Sequence, residues 1–89
     1  MILPHRNPVV TAKMLATVDV LSKGRVTVGV GVGWMAEEFA ALNAPDFAKR
    51  GAVSDEYLEI FAKLWTGEPV SHNGTSYQFD EVSCQPAPV

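Results

Sequence analysis

Residues 25–34, RVTVGVGVGW, alternate valine with glycine and constrain the fold more than any other part of the chain. In an extended strand, alternate positions lie on opposite faces, so one face would carry the valines. The other face would carry Gly29, Gly31 and Gly33. Glycine adds conformational entropy to the unfolded chain and no side chain to the packing, so this face is expected to meet a ligand or a neighbouring backbone.

The composition is that of a small globular protein. The 89 residues are 47% hydrophobic and 19% charged, and a chain of this size is expected to form a single domain of marginal stability. A net charge of -3 provides no basic patch, which excludes nucleic acid as a partner. Cys84 is the only cysteine, so neither a disulfide nor a cysteine zinc site is predicted. The sequence lacks a secretory signal and a membrane-spanning apolar run, and it predicts a cytoplasmic protein.

The order of the first elements predicts parallel β-structure. Ile2 and Leu3 are expected to end a buried strand, and a helix follows with Asn7 as N-cap, Pro8 at its first position and Gly24 as C-terminal cap. The predicted apolar face of this helix comprises Val10, Met14, Leu15, Val18 and Leu21. The glycine stretch comes next, so residues 1–34 predict a strand–helix–strand crossover unit.

Helices at residues 35–66 and a hairpin with an extended tail at residues 67–89 complete the predicted domain. A short helix is expected at residues 35–43 with Phe39 and Leu42 on one face, followed by a longer helix from about residue 47 to residue 65. The apolar stripe of the longer helix comprises Val53, Tyr57, Ile60, Phe61, Leu64 and Trp65. Residues 70–79 predict two strands joined by a type I′ turn at Asn73 and Gly74.

The glycines do not fit the dinucleotide-binding fingerprint. Starting from Gly29 or Gly31, the third required glycine falls on Trp34 or Ala36. A nucleotide-binding module on the Rossmann plan is therefore only a minor alternative.

Few titratable side chains indicate chemistry by their spacing. His5 lies at a predicted strand end and could line a site, whereas His72 lies beside the predicted turn and is expected to be solvated. Arg50 is predicted to pair with Asp55 and Glu56 along the longer helix. No catalytic residue is identified from these patterns.

Four motifs extend over nearly the whole chain: LPHRNP at 3–8, DVLSKGR at 19–25, GVGVGW at 29–34, and LWTG at 64–67 followed by Gly74, Tyr77 and Phe79. Together they resemble the luciferase-like monooxygenase family, which includes bacterial luciferases and deazaflavin-dependent oxidoreductases. The resemblance implies a TIM-type (β/α)₈ barrel that binds reduced FMN or the deazaflavin coenzyme F420 at the C-terminal ends of its strands. A complete barrel needs about 250 residues. The predicted fold class is therefore α/β, a partial TIM barrel segment of about two parallel strands with their helices and a β-hairpin.

The resemblance also implies which residues contact the cofactor. Gly31, Gly33 and Trp34 correspond to backbone that approaches its ring or phosphate, and Asn7 and Glu37 correspond to polar contacts. By resemblance, the chain is a segment of an oxidoreductase that uses this cofactor for hydride transfer or oxygen activation on an organic substrate, and it is inactive alone. The alternative is a non-catalytic protein that forms homo-oligomers through its exposed sheet edges.

Overall fold

Helix α1 (Pro8–Leu21) begins and ends where the sequence predicts. The computed structural model describes all 89 residues, Met1–Val89. Asn7 Oδ1 accepts hydrogen bonds from the amides of Val9 at 3.0 Å and Val10 at 3.1 Å. At the other end Gly24 adopts a φ of 82° and its amide donates to the Asp19 carbonyl at 2.8 Å. Both predicted caps of this helix are confirmed.

The buried face of α1 is not the predicted aliphatic face. Ala12 and Ala16 are completely buried and Thr11 is 4% exposed, where α1 packs against helix α3 (Arg50–Leu64). The larger side chains of the predicted face lie mostly in solvent: Val10, Met14, Val18 and Leu21 are 57%, 55%, 52% and 79% exposed. The prediction of this face was wrong because α1 is apolar on both faces, and its small residues allow the closer approach to α3.

Helix α3 lies at the centre of the core and follows a 3-10 turn at Phe47–Lys49. Its predicted stripe is confirmed, since Val53, Tyr57, Ile60, Phe61 and Leu64 are buried and Trp65 is half-buried. The Trp65 indole N–H donates to the Ala12 carbonyl at 3.0 Å, which joins α3 to α1. Leu3 and Cys84 complete the core from the two ends of the chain.

The glycine segment, residues 25–34, is extended but does not form the predicted continuous strand. Its one ladder contact is a parallel bridge between Ile2 and Gly31, in which the Leu3 amide donates to the Gly31 carbonyl at 3.0 Å. The backbone groups of Val28, Val30 and Val32 point to the opposite edge and bond to nothing in the chain. The strand is short because residues 1–3 are its only neighbour, although the predicted parallel orientation is confirmed.

The hairpin forms with a different turn from the predicted one. Strand β1 (Val70–Asn73) pairs antiparallel with strand β2 (Gln78–Val82), and Asn73 lies opposite Gln78. Residues 74–77 therefore form the loop, in which the Gly74 amide donates to the Tyr77 carbonyl at 2.9 Å. A type I′ turn needs positive φ at both central residues, and neither Asn73 nor Gly74 has one. The loop is shaped instead by contacts with α3, described below.

Helix α2 (Ala36–Ala41) is shorter than predicted. Phe39 is buried, whereas Leu42 lies beyond the helix and is 56% exposed. Asn43 adopts a φ of 53°, which ends the helical turn. None of the helices combines the length and the apolar character needed to cross a bilayer.

Candidate functional site

Beyond their parallel bridge the two extended segments run in the same direction, so their C-terminal ends lie side by side. A ligand would approach both of these ends together. The first segment continues into a 3-10 turn at Leu3–His5, and the second turns at Gly33 toward α2. We call this region the site edge and define it by six residues, His5, Arg6, Asn7, Gly31, Gly33 and Trp34.

Gly33 is held in a conformation that other residues rarely adopt. Its φ is 89°, and a Cβ at this position would lie 2.7 Å from Phe39 Cε1 and 3.1 Å from Ile2 Cγ2. The Gly33 carbonyl accepts a hydrogen bond from Arg50 Nε at 3.0 Å. The turn at the site edge is therefore fixed by close packing on one side and by a guanidinium on the other.

Aromatic rings pack next to this turn. His5 and Phe39 meet edge to face with ring centroids 4.7 Å apart, and Phe39 meets Phe47 in the same way at 5.0 Å. The Arg50 guanidinium carbon lies 4.2 Å from the centroid of the Phe47 ring, in a cation–π contact. His5 Nε2 is buried and has no hydrogen-bond partner in the chain.

Arg50 does not form the predicted ion pairs with Asp55 and Glu56. Besides Gly33, its guanidinium donates to the Phe47 carbonyl at 3.2 Å, and the carboxylate of Glu56 pairs with His72 instead. The prediction was wrong because local spacing shows which charges can meet along a helix but not which carbonyls a long side chain reaches. One signal in the sequence was available: a cation at the first residue of a helix is unfavourable for the helix dipole, which suggests another use for it.

The structure places the predicted cofactor-contacting residues as follows. Gly31 lies in the bridge, Gly33 forms the turn, and the adjoining Trp34 is 76% exposed. Asn7 is exposed where the first segment ends and caps α1, and Glu37 is exposed in the first turn of α2. The bridge thus brings the end of the glycine segment next to the turn that contains Asn7.

The glycine face itself is open. A Cβ built on Gly29 would meet no atom within 4 Å, and one built on Gly31 would meet only the Met1 carbonyl oxygen at 3.9 Å. The valine face lies against the helices, where Val26, Val28 and Val30 border an apolar cavity of about 440 Å³ together with Leu15, Phe61 and Trp65. The glycine side thus leaves the backbone open to close approach by a flat molecule.

His72 belongs to a buried polar cluster, so its predicted solvation was wrong. It is 4% exposed, and its Nε2 lies 3.0 Å from Glu56 Oε2 while its Nδ1 lies 3.1 Å from Lys63 Nζ. Since an ammonium group can only donate, Nδ1 accepts, and Nε2 carries the proton that is donated to Glu56. No sequence pattern indicates this contact, because Glu56 and His72 are distant in sequence and on different elements.

Glu56 also organises the hairpin loop. Its Oε1 accepts from the Ser76 amide at 3.0 Å and its Oε2 from the Tyr77 amide at 2.9 Å. Burial alone raises the pKa of Glu56, but the two amides and His72 together outweigh burial and hold the pKa below its usual value. A Cβ on Gly74 would collide with the Glu56 carboxylate and the His72 ring, so glycine is needed here for close approach rather than for a tight turn.

A family comparison matches the whole of the chain. The model described as luciferase-like monooxygenase covers residues 1–89. The FMNH2-dependent dimethylsulfone monooxygenase of Pseudomonas putida is 33% identical over 85 residues, which are 93% of this chain and 23% of that protein. The F420-dependent glucose-6-phosphate dehydrogenase of Amycolatopsis mediterranei is 36% identical over 90 residues, covering 93% of this chain and 27% of that protein.

A solved structure has the same fold over nearly the same extent. The crystal structure of monooxygenase RslO1 from Streptomyces bottropensis matches with a TM-score of 0.87 and 33% sequence identity, over 98% of this chain and 26% of that one. The predicted fold class, α/β with a partial TIM barrel segment, is thereby confirmed. The chain spans about a quarter of the length of these three proteins.

Proposed function

We propose, since this chain belongs to the luciferase-like monooxygenase family, that it is a barrel segment of an oxidoreductase and supplies part of the binding surface for reduced FMN or coenzyme F420. The observation that carries the proposal is the family match over all 89 residues, which includes the glycine segment and the site edge. The names of the two relatives support these two cofactors, because one is FMNH2-dependent and the other F420-dependent.

The residues present fit a flat, fused-ring cofactor. The open backbone of Gly29 and Gly31 leaves room for a ring to approach closely, and the exposed Trp34 offers an aromatic face and an N–H donor at the same edge. Asn7 Oδ1 is occupied by the cap amides, so a contact from Asn7 to the cofactor would use its side-chain nitrogen. When bound, the reduced cofactor supplies hydride transfer or oxygen activation, and these residues contact its ring and orient it.

Two surfaces of the chain support the view that this binding surface is only part of a site. The backbone groups of Val28, Val30 and Val32 are unpaired at one edge of the glycine segment. The outer face of α1 exposes four large aliphatic side chains, at Val10, Met14, Val18 and Leu21. Both surfaces are suited to further barrel elements, and they would equally support self-association of a non-catalytic protein.

We expect no catalysis by these 89 residues alone, because one bridge between two extended segments cannot enclose a ring. The test is to add the chain to reduced F420, and separately to reduced FMN, and to follow cofactor oxidation spectroscopically against cofactor alone. The oxidation rate should be the same with and without the chain.

An acceleration of cofactor oxidation would contradict this expectation if it saturates with cofactor concentration, increases in proportion to the concentration of the chain and is reduced by Trp34→Ala. Sedimentation of the same sample shows whether any acceleration belongs to an oligomer, in which copies could complete the enclosure.

A further inference from the structure

Three groups from distant parts of the chain form a relay of hydroxyl hydrogen bonds. Tyr77 lies in the hairpin loop, Tyr57 lies on α3, and the Arg6 carbonyl lies at the site edge. The two hydroxyl oxygens are 2.6 Å apart, and Tyr57 Oη is 2.5 Å from the Arg6 carbonyl oxygen. The two rings meet edge to face with centroids 5.4 Å apart.

The Arg6 carbonyl determines which hydroxyl donates and which accepts in each bond of the relay. A carbonyl oxygen can only accept, so the single Tyr57 hydroxyl proton is donated to Arg6, and Tyr77 must therefore donate to Tyr57. A hydroxyl that accepts one bond is polarised and donates more strongly in the next. Tyr57 is completely buried, and burial, followed by the bond with Tyr77, raises the pKa of Tyr57 well above its usual value, which keeps the donor proton in place.

The position of Tyr77 is itself fixed by α3. The Tyr77 backbone amide donates to Glu56 Oε2, and Glu56 is the residue next to Tyr57. The loop thus contacts α3 through the Tyr77 backbone and through the Tyr77 side chain. No other side-chain hydrogen bond joins the hairpin loop to the site edge.

We propose that Tyr57 and Tyr77 are positioning residues. Through their two hydrogen bonds, the position of the hairpin loop determines the position of Arg6 and Asn7 at the site edge. Arg6 immediately precedes Asn7, so a bond that holds its carbonyl also sets the direction in which the Asn7 side chain leaves the backbone. Only the benefit to cofactor binding rests on the proposed function. The connection between hairpin and site edge is measured without any cofactor.

The test is Tyr77→Phe in the 89-residue chain, with the carbonyl ¹³C shift of Arg6 as the readout. Phenylalanine keeps the ring and its packing but removes the hydroxyl group. The Arg6 shift should move in the same direction as in Tyr57→Phe but by less, since Tyr57→Phe removes the bond itself and Tyr77→Phe only weakens it. The control is Thr75→Ala, an exposed position in the same loop, which should leave the Arg6 shift unchanged.

Amide hydrogen exchange gives a second readout. The amides of Arg6, Val9 and Val10 donate hydrogen bonds around the site edge, and none of these bonds involves Tyr77. In Tyr77→Phe they should exchange about threefold to tenfold faster, while the amides of Ile60 and Phe61 in the centre of α3 change less. The double variant Tyr57→Phe/Tyr77→Phe should match Tyr57→Phe alone at these three amides, because the second substitution has no bond left to weaken.

Two results would overturn the proposal. One is an Arg6 carbonyl shift that Tyr77→Phe leaves at its wild-type value. The other is an equal acceleration of exchange at the site edge and in α3, which would mean that Tyr77 contributes to global stability only.

Discussion

Replacing Gly33 with alanine is expected to lower the free energy of unfolding by about 3 kcal/mol. Two costs add at this position. A φ of 89° is unfavourable for any residue with a Cβ, and the new methyl carbon would lie 2.7 Å from Phe39 Cε1 and 3.1 Å from Ile2 Cγ2. Phe39 cannot withdraw easily, because it is buried between His5 and Phe47. Urea unfolding followed by circular dichroism measures the change.

Gly29→Ala is the matched control from the same segment. Gly29 has no positive φ, and a Cβ there meets nothing within 4 Å, so this substitution should raise stability by less than about 1 kcal/mol through the unfolded state. Equal effects of the two substitutions would show that the turn at Gly33 does not exist in solution.

Replacing Glu56 with alanine is expected to cost about 3 kcal/mol. The substitution leaves the buried Nε2–H of His72 and the amides of Ser76 and Tyr77 without their acceptor. Glu59→Ala is the control, one turn further along α3. Its carboxylate is 59% exposed and pairs with Lys63 at 3.5 Å, so its loss should cost less than about 0.5 kcal/mol. A Glu56→Ala variant as stable as Glu59→Ala would exclude the loop contacts described here.

The contribution of Glu56 should also depend on pH. Its pKa in the folded chain lies below the ordinary value of 4.5, so the folded state binds this proton less readily than the unfolded state does. The stabilisation is therefore fully present above the unfolded pKa and is lost as the pH falls through the folded pKa. Unfolding measured from about pH 7 down to about pH 3 should show this loss in the wild-type chain and not in Glu56→Gln. Parallel profiles for the two proteins would contradict the assignment.

Elements whose signals are local were predicted correctly. The N-cap at Asn7 and the C-terminal cap at Gly24 depend on backbone groups within a few residues, so the sequence contains the whole signal. Nearly all large apolar side chains of α3 lie in one stripe, with Leu58 as the exposed exception, so the burial of the stripe followed from periodicity.

Predictions failed where a distant residue decides the outcome. Helix α1 is apolar on both faces, and its buried face was determined by contact with α3. The sequence Asn73–Gly74 predicted a two-residue turn, but the carboxylate of Glu56 holds a wider loop and requires glycine at position 74 for space. His72 was assigned to solvent for the same reason, since neither Glu56 nor Lys63 is near it in sequence.

The alternation of valine and glycine predicted a ligand-facing segment, but the individual residues of the candidate site were predictable only through the family resemblance. The motifs directed attention to the end of the glycine segment, and the structure brings this end next to the turn that contains Asn7. Arg50, which fixes Gly33, was not predicted as part of this region, because its bond to the Gly33 carbonyl joins residues that lie on separate elements.

The most direct test of the proposed function is to map where the cofactor binds on the ¹⁵N-labelled chain. Reduced F420 and reduced FMN would be titrated separately, and amide shift changes recorded for every residue. We predict weak, saturable changes for at least one cofactor, concentrated at Asn7, Gly31, Gly33, Trp34 and Glu37, and diminished in Trp34→Ala. Saturable changes confined to the apolar cavity beside Leu15 and Phe61, or no changes with either cofactor, would contradict the proposal that the site edge is a cofactor surface.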